Sequence, residues 1–258
     1  MMRLVRLVLV VVIGLTICQA ADLPGKILPK TTDSPRVDAA TGEFPYIVSL
    51  RRNGVHFCGG AIIGVKKILT AAHCFVGRVD PPYTEGLTIA TGALKRQEDG
   101  DLHLANKVVP HSEFSRGPDT RWKHDIAVIS LMTPIIMTEK VKTVGLPTGP
   151  TPGGVVGVLA GWGSATKFGP EADHLQKRNV TVLTNDDCNK KDASILETQM
   201  CGFDGRGTGF CNGDSGGPLI YNNEVIGIVS FGISCGIGYP DTYTRVHKYL
   251  NFIKENSN

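Results

Sequence analysis

The chain has 258 residues, 41% of them hydrophobic and 20% charged, with a formal net charge of +3. Arg3, Arg6, Lys26, Lys30 and Arg36 against Asp22 and Asp33 account for that whole surplus, so everything after Arg36 is neutral. A neutral body offers no basic face for nucleic acid or an anionic membrane, and neither is expected as a partner.

The first predicted element is a leader. MMRLVRLVLVVVIGLTICQA, residues 1–20, has two arginines, an apolar run from Leu7 to Ile17 and the small-residue exit Cys18-Gln19-Ala20. That is the layout of a secretory signal peptide, too short for a comfortable membrane span, and it predicts a secreted, extracellular product. Residues 21–36 then read as a polar pro-segment ending at Arg36, and an apolar run starts near Phe44. The body that follows is a chain of short runs: PYIVSL, HFCGGAII, KKILTAA, DIAVISL, VVGVLAGW, NVTVLT, EVIGIVSF and DTYTRV. They are rich in Val, Ile and Thr and punctuated by Gly, Pro and Asn, as strands and turns are. GPLIYNNEVIGIVSFG predicts a hairpin turning at Asn222-Asn223. LPTGPTPGG (146–154) divides the body and reads as a linker between two β units. Helical periodicity is clear only at the end, where Val246, Tyr249, Leu250 and Ile253 share a face. The predicted class is all-β with a C-terminal α-helix.

Cys18 belongs to the leader. The other cysteines, Cys58, Cys74, Cys188, Cys201, Cys211 and Cys235, form an even set that predicts disulfides in an exported chain, with the connectivity left open by spacing. No Cys/His spacing suggests zinc, and no metal or cofactor is expected. Acidic RQEDGDLH (96–103), with Glu98, Asp99 and Asp101, reads as a solvated loop rather than a calcium site. Asn179-Val180-Thr181 is a sequon and makes Asn179 a candidate glycosylation site.

Three local patterns carry chemistry: LTAAHC with His73, KHDIAVISL with Asp125, and CNGDSGGPL with Ser215. A serine hydroxyl is a poor nucleophile at neutral pH and needs a base within hydrogen-bond reach, itself oriented by a carboxylate. The glycines beside Ser215 allow tight turns and let the Gly213 and Ser215 N–H groups face a developing oxyanion. Each pattern alone is weak. Together, in this order, in an all-β chain with six body cysteines, they resemble the chymotrypsin-like family of secreted serine proteases, including invertebrate members of broad specificity. The likeness extends from about Val37 to the terminal helix and includes GEFPYIVSL, CGGAII, AGWG, GIVSFG and PDTYTRV.

The resemblance implies two six-stranded antiparallel β-barrels, about 37–145 and 146–245, with the terminal helix at about 246–255 and a protease domain spanning 37–258. It implies a secreted, monomeric endopeptidase that cuts protein or peptide substrates through an acyl-enzyme, without cofactor, and meets proteinaceous inhibitors. Ser215 would be the nucleophile, His73 the base, Asp125 its orienting carboxylate, and Ser230 a support for Asp125. Cys58 would pair with Cys74, Cys188 with Cys201, and Cys211 with Cys235. Around the primary pocket it places Gly209, Phe210, Phe231, Gly232 and Asp241. Gly209 stands where trypsin-like members carry Asp, and Gly232 keeps the pocket wall open, so cleavage after large apolar residues is expected. Phe210 could make the pocket shallower, and Asp241 could accept a basic side chain.

One departure from the family matters. Its zymogens are cut by a trypsin-like protease after a basic residue, here Arg36, and the new ammonium pairs with the aspartate before the nucleophile, here Asp214. The usual Ile-Val-Gly-Gly-like start is missing, because Arg36 is followed at once by Val37 and DAATGEFPY. Four extended residues span up to about 13 Å, so a terminus at Val37 is expected to fall short and leave the Asp214 charge uncompensated. Three readings follow: a gap in the gene model, a zymogen-locked homologue that acts by binding protein, or an active state held by another contact.

Overall fold

The computed structural model describes residues 36–97, 100–191, 194–233 and 235–257. The expected leader, the pro-segment up to residue 35, and Glu98 and Asp99 of the acidic loop lie outside the described residues.

A two-residue strand β1 (Val37–Asp38) opens the body. The first barrel closes from β2 (Ile47–Arg52), β3 (Val55–Gly64), β4 (Lys67–Thr70), β5 (Leu87–Thr91), β6 (Asp101–Pro110) and β7 (Ala127–Leu131), in the order β2-β3-β4-β7-β6-β5. Asn53-Gly54 turns β2 into β3 with both residues at positive φ (+50° and +82°), the geometry that matches strand twist in a two-residue hairpin. Val48, Leu50, Ile62, Ile68, Leu69, Ile89 and Ile129 fill the interior.

The second barrel uses β8 (Val156–Gly161), β9 (Gln176–Leu183), β10 (Gln199–Gly202), β11 (Pro218–Tyr221), β12 (Glu224–Phe231) and β13 (Asp241–Arg245). The order is β9-β10-β13-β12-β11-β8, closed by pairing of β8 with β9, and β1 adds to the free stretch of β9 through Val37–Lys177 and Asp38–Gln176. Leu159, Val180, Met200, Leu219, Val229 and Tyr243 form its core. β11 and β12 join through Asn222-Asn223, both left-handed, at the predicted hairpin. The fold is therefore two closed six-stranded antiparallel barrels.

Between β9 and β10 lies α1 (Asn185–Asn189), capped by Thr184, whose hydroxyl accepts from the Asp187 N–H at 3.1 Å. The chain ends in a 3₁₀ turn (Val246–Tyr249) that runs into α2 (Leu250–Glu255). Val246, Tyr249 and Ile253 are buried against the first barrel, so the last element of the chain ties the two halves together. Among the described residues no helix is long and apolar enough to cross a membrane.

Candidate active site

His73 sits in a single 3₁₀ turn (Ala72–Cys74) directly after β4. Its neighbour Cys74 is bonded to Cys58 of β3, which pins the turn to the barrel wall. The other disulfides join Cys188 to Cys201 and Cys211 to Cys235. Asp125 lies just before β7 and is 1% exposed. Its carboxylate accepts from the His73 N–H at 2.8 Å and from His73 Nδ1 at 2.7 Å. Ser230 donates to it at 2.5 Å, from the irregular register where β12 leaves its pairing with β13. Thr244 of β13 donates to the Asp125 carbonyl at 2.7 Å. A carboxylate can only accept, so Nδ1 carries the proton and His73 Nε2 is left with a lone pair. His73 and Ser215 open into one cavity of about 430 Å³ between the barrels.

The segment around Ser215 is held peptide by peptide. Asn212 O accepts from the Ser164 N–H at 2.8 Å, and Asp214 O accepts from the Gly217 N–H at 3.0 Å. In a trans peptide the C=O and N–H point in opposite directions, so fixing these two carbonyls turns the Gly213 and Ser215 N–H groups the other way. Among the described residues those two amides have no protein acceptor, whereas Cys211, Asp214, Gly216 and Gly217 all donate inward. Gly213 adopts φ +97°, a conformation that favours glycine. Its carbonyl is held by His56 Nε2 at 2.9 Å. A carbonyl only accepts, so Nε2 is the protonated nitrogen, and His56 Nδ1 accepts from Ser49 at 2.8 Å. Burial pushes the His56 pKa down against the opposing pull of the Gly213 carbonyl, and the ring packs on Trp162.

Asp214 is fully buried at the back of this segment. Its carboxylate accepts from Gly163 N at 2.9 Å and Cys211 N at 2.9 Å. The AGWG glycines make room for it: a Cβ on Gly163 would lie 2.1 Å from Asp214 Oδ2, and one on Gly161 would lie 2.3 Å from Oδ1. In the uncut chain Asp214 is not left alone, because the Arg36 guanidinium is paired with it. The expected shortfall concerned a backbone terminus freed at Val37, whereas here a long side chain from the uncut strand reaches the carboxylate.

The five residues expected around the primary pocket divide in two. Phe210, Phe231 and Gly232 line the cavity beside Ser215 and the Cys211–Cys235 disulfide. Asp241 is set back from the cavity surface. It is 7% exposed, and its carboxylate turns to the Phe210 N–H at 2.7 Å. Gly209 lies behind the wall with it, and a Cβ there would meet Asp241 Oδ2 at 2.8 Å. Burial raises the Asp241 pKa to about 7, with the Phe210 N–H, Arg178 and Arg36 opposing and Asp214 adding to the rise. The Phe210 ring packs edge-on against Tyr243, 5.4 Å away, so it is drawn back toward the second barrel's core.

Comparison with known proteins agrees with this architecture. The Trypsin family model matches residues 35–253. Chymotrypsin-2 of Vespa crabro is 35% identical over 87% of this chain and 97% of its own length. Brachyurin of Leptuca pugilator is 35% identical over 84% and 95%, and human Trypsin-3 is 33% identical over 82% and 68%. The chain belongs to the trypsin family of serine proteases.

In this serine endopeptidase several site residues escaped the motif reading. Trp122, at φ +51°, lies 6.0 Å from the His73 ring and stacks on Phe231 at 6.2 Å, forming one wall of the cavity. Nothing in RWKHD beyond its closeness to Asp125 marks it. His56 looks like an ordinary strand residue in HFCGG. The glycine pair of AGWG was the one legible hint, since two small residues around a buried Trp imply close backbone approach. Asn179 is exposed on β9, and Asp101 is exposed at the start of β6.

Proposed function

We propose that this trypsin-family protease hydrolyses peptide bonds by acyl transfer through Ser215, His73 and Asp125. The observation that carries the reading is the buried Asp125–His73 pair, which leaves His73 Nε2 free in the cavity that Ser215 also lines. His73 Nε2 takes the Ser215 proton as Oγ bonds to the scissile carbonyl carbon, and the carbonyl oxygen becomes an oxyanion at the Gly213 and Ser215 N–H groups. The C–N bond then breaks, the amine leaves with the His73 proton, and water activated by His73 releases the acid and restores Ser215. Asp125 stabilises the imidazolium throughout, with Ser230 holding its second lone-pair direction.

Large apolar side chains fit the primary pocket best. Gly209 carries no carboxylate of its own, and Phe210, Phe231 and Gly232 line the cavity beside Ser215. Differences of one methylene in such a pocket are worth only about 1–3 kcal/mol, so a broad apolar preference is expected. The reading includes export, three disulfides and action on protein substrates outside the cell. The missing Ile-Val-Gly-Gly-like start is the one observation favouring a binding homologue without catalysis.

Labelling with a fluorophosphonate probe tests the choice. Ser215→Ala is expected to abolish labelling and His73→Ala to slow it severely. A folded wild-type chain that labels no faster than Ser215→Ala, before and after limited proteolysis, sinks the enzymatic reading.

A further inference from the structure

The best-placed unassigned group in the molecule is the guanidinium of Arg36. Arg36 immediately precedes β1, which is strapped to β9 by its two paired residues and by Ala39 N donating to Leu175 O at 2.8 Å. From that anchor the side chain runs inward until only 9% of it is exposed. Nη2 pairs with Asp214 Oδ2, while Nη1 donates to Asp214 Oδ1 at 3.3 Å and to the Gly163 carbonyl at 3.3 Å. Burial would lower the Arg36 pKa, yet the pairing with Asp214 more than offsets this and the net shift is upward, so the cation is permanent.

The consequence follows from what Asp214 holds. Its carboxylate binds the N–H groups of Gly163 and Cys211, and its backbone carbonyl fixes the Ser215 peptide through Gly217. Removing the cation paired with a buried carboxylate leaves that charge uncompensated, and the peptides tied to it must shift. We propose that Arg36 is a built-in positioning residue whose guanidinium, in the uncut chain, takes the part of a freed N-terminal ammonium and holds the Gly213 and Ser215 N–H groups in their catalytic arrangement. The chain is then active without cleavage between Arg36 and Val37. A second effect follows: a protease that recognises Arg36 needs the side chain extended into its own pocket, and here that side chain is buried, so native protein resists the cut. The inference rests on the proposed Ser215 chemistry, from which its failure can be separated as follows.

The full chain, produced by secretory expression, is labelled with fluorophosphonate, and its intact mass afterwards verifies an unbroken Arg36–Val37 bond. Ser215-dependent labelling of uncut protein is expected. Arg36→Ala should label about 100-fold more slowly, the size of effect seen when an oxyanion donor is lost. Arg36→Lys should fall between, because an ammonium cannot bridge both carboxylate oxygens and Gly163 O together. Millimolar ethylguanidinium should restore part of the rate in Arg36→Ala and none in Ser215→Ala, a response that a merely structural role would not give. The proposal is overturned if uncut wild type matches Ser215→Ala while protein cut after Arg36 labels, which leaves the protease chemistry intact. It is equally overturned if Arg36→Ala, folded by its thermal transition, labels within about twofold of wild type. If neither cut nor uncut wild type labels, the Ser215 chemistry fails and this inference falls with it. The cut-against-uncut comparison uses wild type only, so a variant that misfolds does not spoil it.

Discussion

Asp125 and Asp214 are two buried carboxylates, and they are held in different ways. Asp125 accepts from neutral donors (a backbone N–H and the Ser230 hydroxyl) and from the His73 imidazole. Asp214 is locked by a guanidinium that does not titrate. The first arrangement suits a site where a proton must come and go. The second suits a brace whose charge must never change. Asp241, a third buried carboxylate, has one N–H donor and no direct cation among the described residues, and its pKa rises to about 7. The three together show that burial alone does not set the behaviour of an acid, and that its partners do.

Breaking the titrating side should have the largest effect. His73→Ala removes the only base in contact with Asp125, and kcat/KM for a peptide substrate should fall by about 10⁶-fold with the thermal midpoint little changed. A loss under tenfold would mean that another group activates Ser215. Breaking the braced side sterically should cost less. Gly163→Ala pushes a Cβ into the Asp214 carboxylate, which Arg36 and the Gly163 and Cys211 N–H groups hold in place, so labelling of Ser215 should slow by about 100-fold and stability should drop by roughly 3 kcal/mol. Wild-type labelling in Gly163→Ala would show that the Asp214 notch is not rigid.

Asp241 sharpens the contrast through pH. Its folded pKa, about 7, lies above its ordinary value of 3.8, so the folded state keeps a proton that the unfolded chain releases. The stability that this one group contributes is therefore fullest below about pH 4 and declines as pH rises toward 7, by on the order of 4 kcal/mol once the group is ionised. The groups facing it are the Phe210 N–H, Arg178, Arg36, Asp214 and Tyr243. Asp241→Asn keeps an acceptor for Phe210 and should match wild type near pH 4 but unfold at clearly higher temperature at pH 8. Parallel wild-type and variant curves across that range would remove Asp241 as the titrating group. The smallest effect belongs to Ser230→Ala, which deletes one of the donors to Asp125 and should lower kcat by less than tenfold while leaving KM unchanged. A selective rise in KM would place Ser230 in substrate binding instead.

Much of this was legible in the chain itself, and the misses are local in cause. β5 and β6 were not among the runs read as strands. LTIAT is short, and DLHLANKVVP buries few of its residues, so neither presents a clean alternation. QMCG of β10 is only four residues long, and its burial comes from neighbouring strands and from Cys188 and Ile195. The hydrogen bond of Asp241 to the Phe210 N–H was not legible, because position along the chain says nothing about which way a carboxylate turns once a backbone N–H competes for it.

The sequence by itself determined what depends on near neighbours: the β class from period-two runs, the Asn-turned hairpin, and the reactive types in their local settings of AHC, HDI and GDSGG. Those signals survive because strand alternation, turn conformation and glycine's freedom act over a few residues. Only the tertiary structure decided that Arg36, 178 residues from Asp214 in the chain, is its counter-ion. An ion pair depends on distance in space and on the loss of water around it. β1 docking on β9 and the small residues at 161 and 163 supply both.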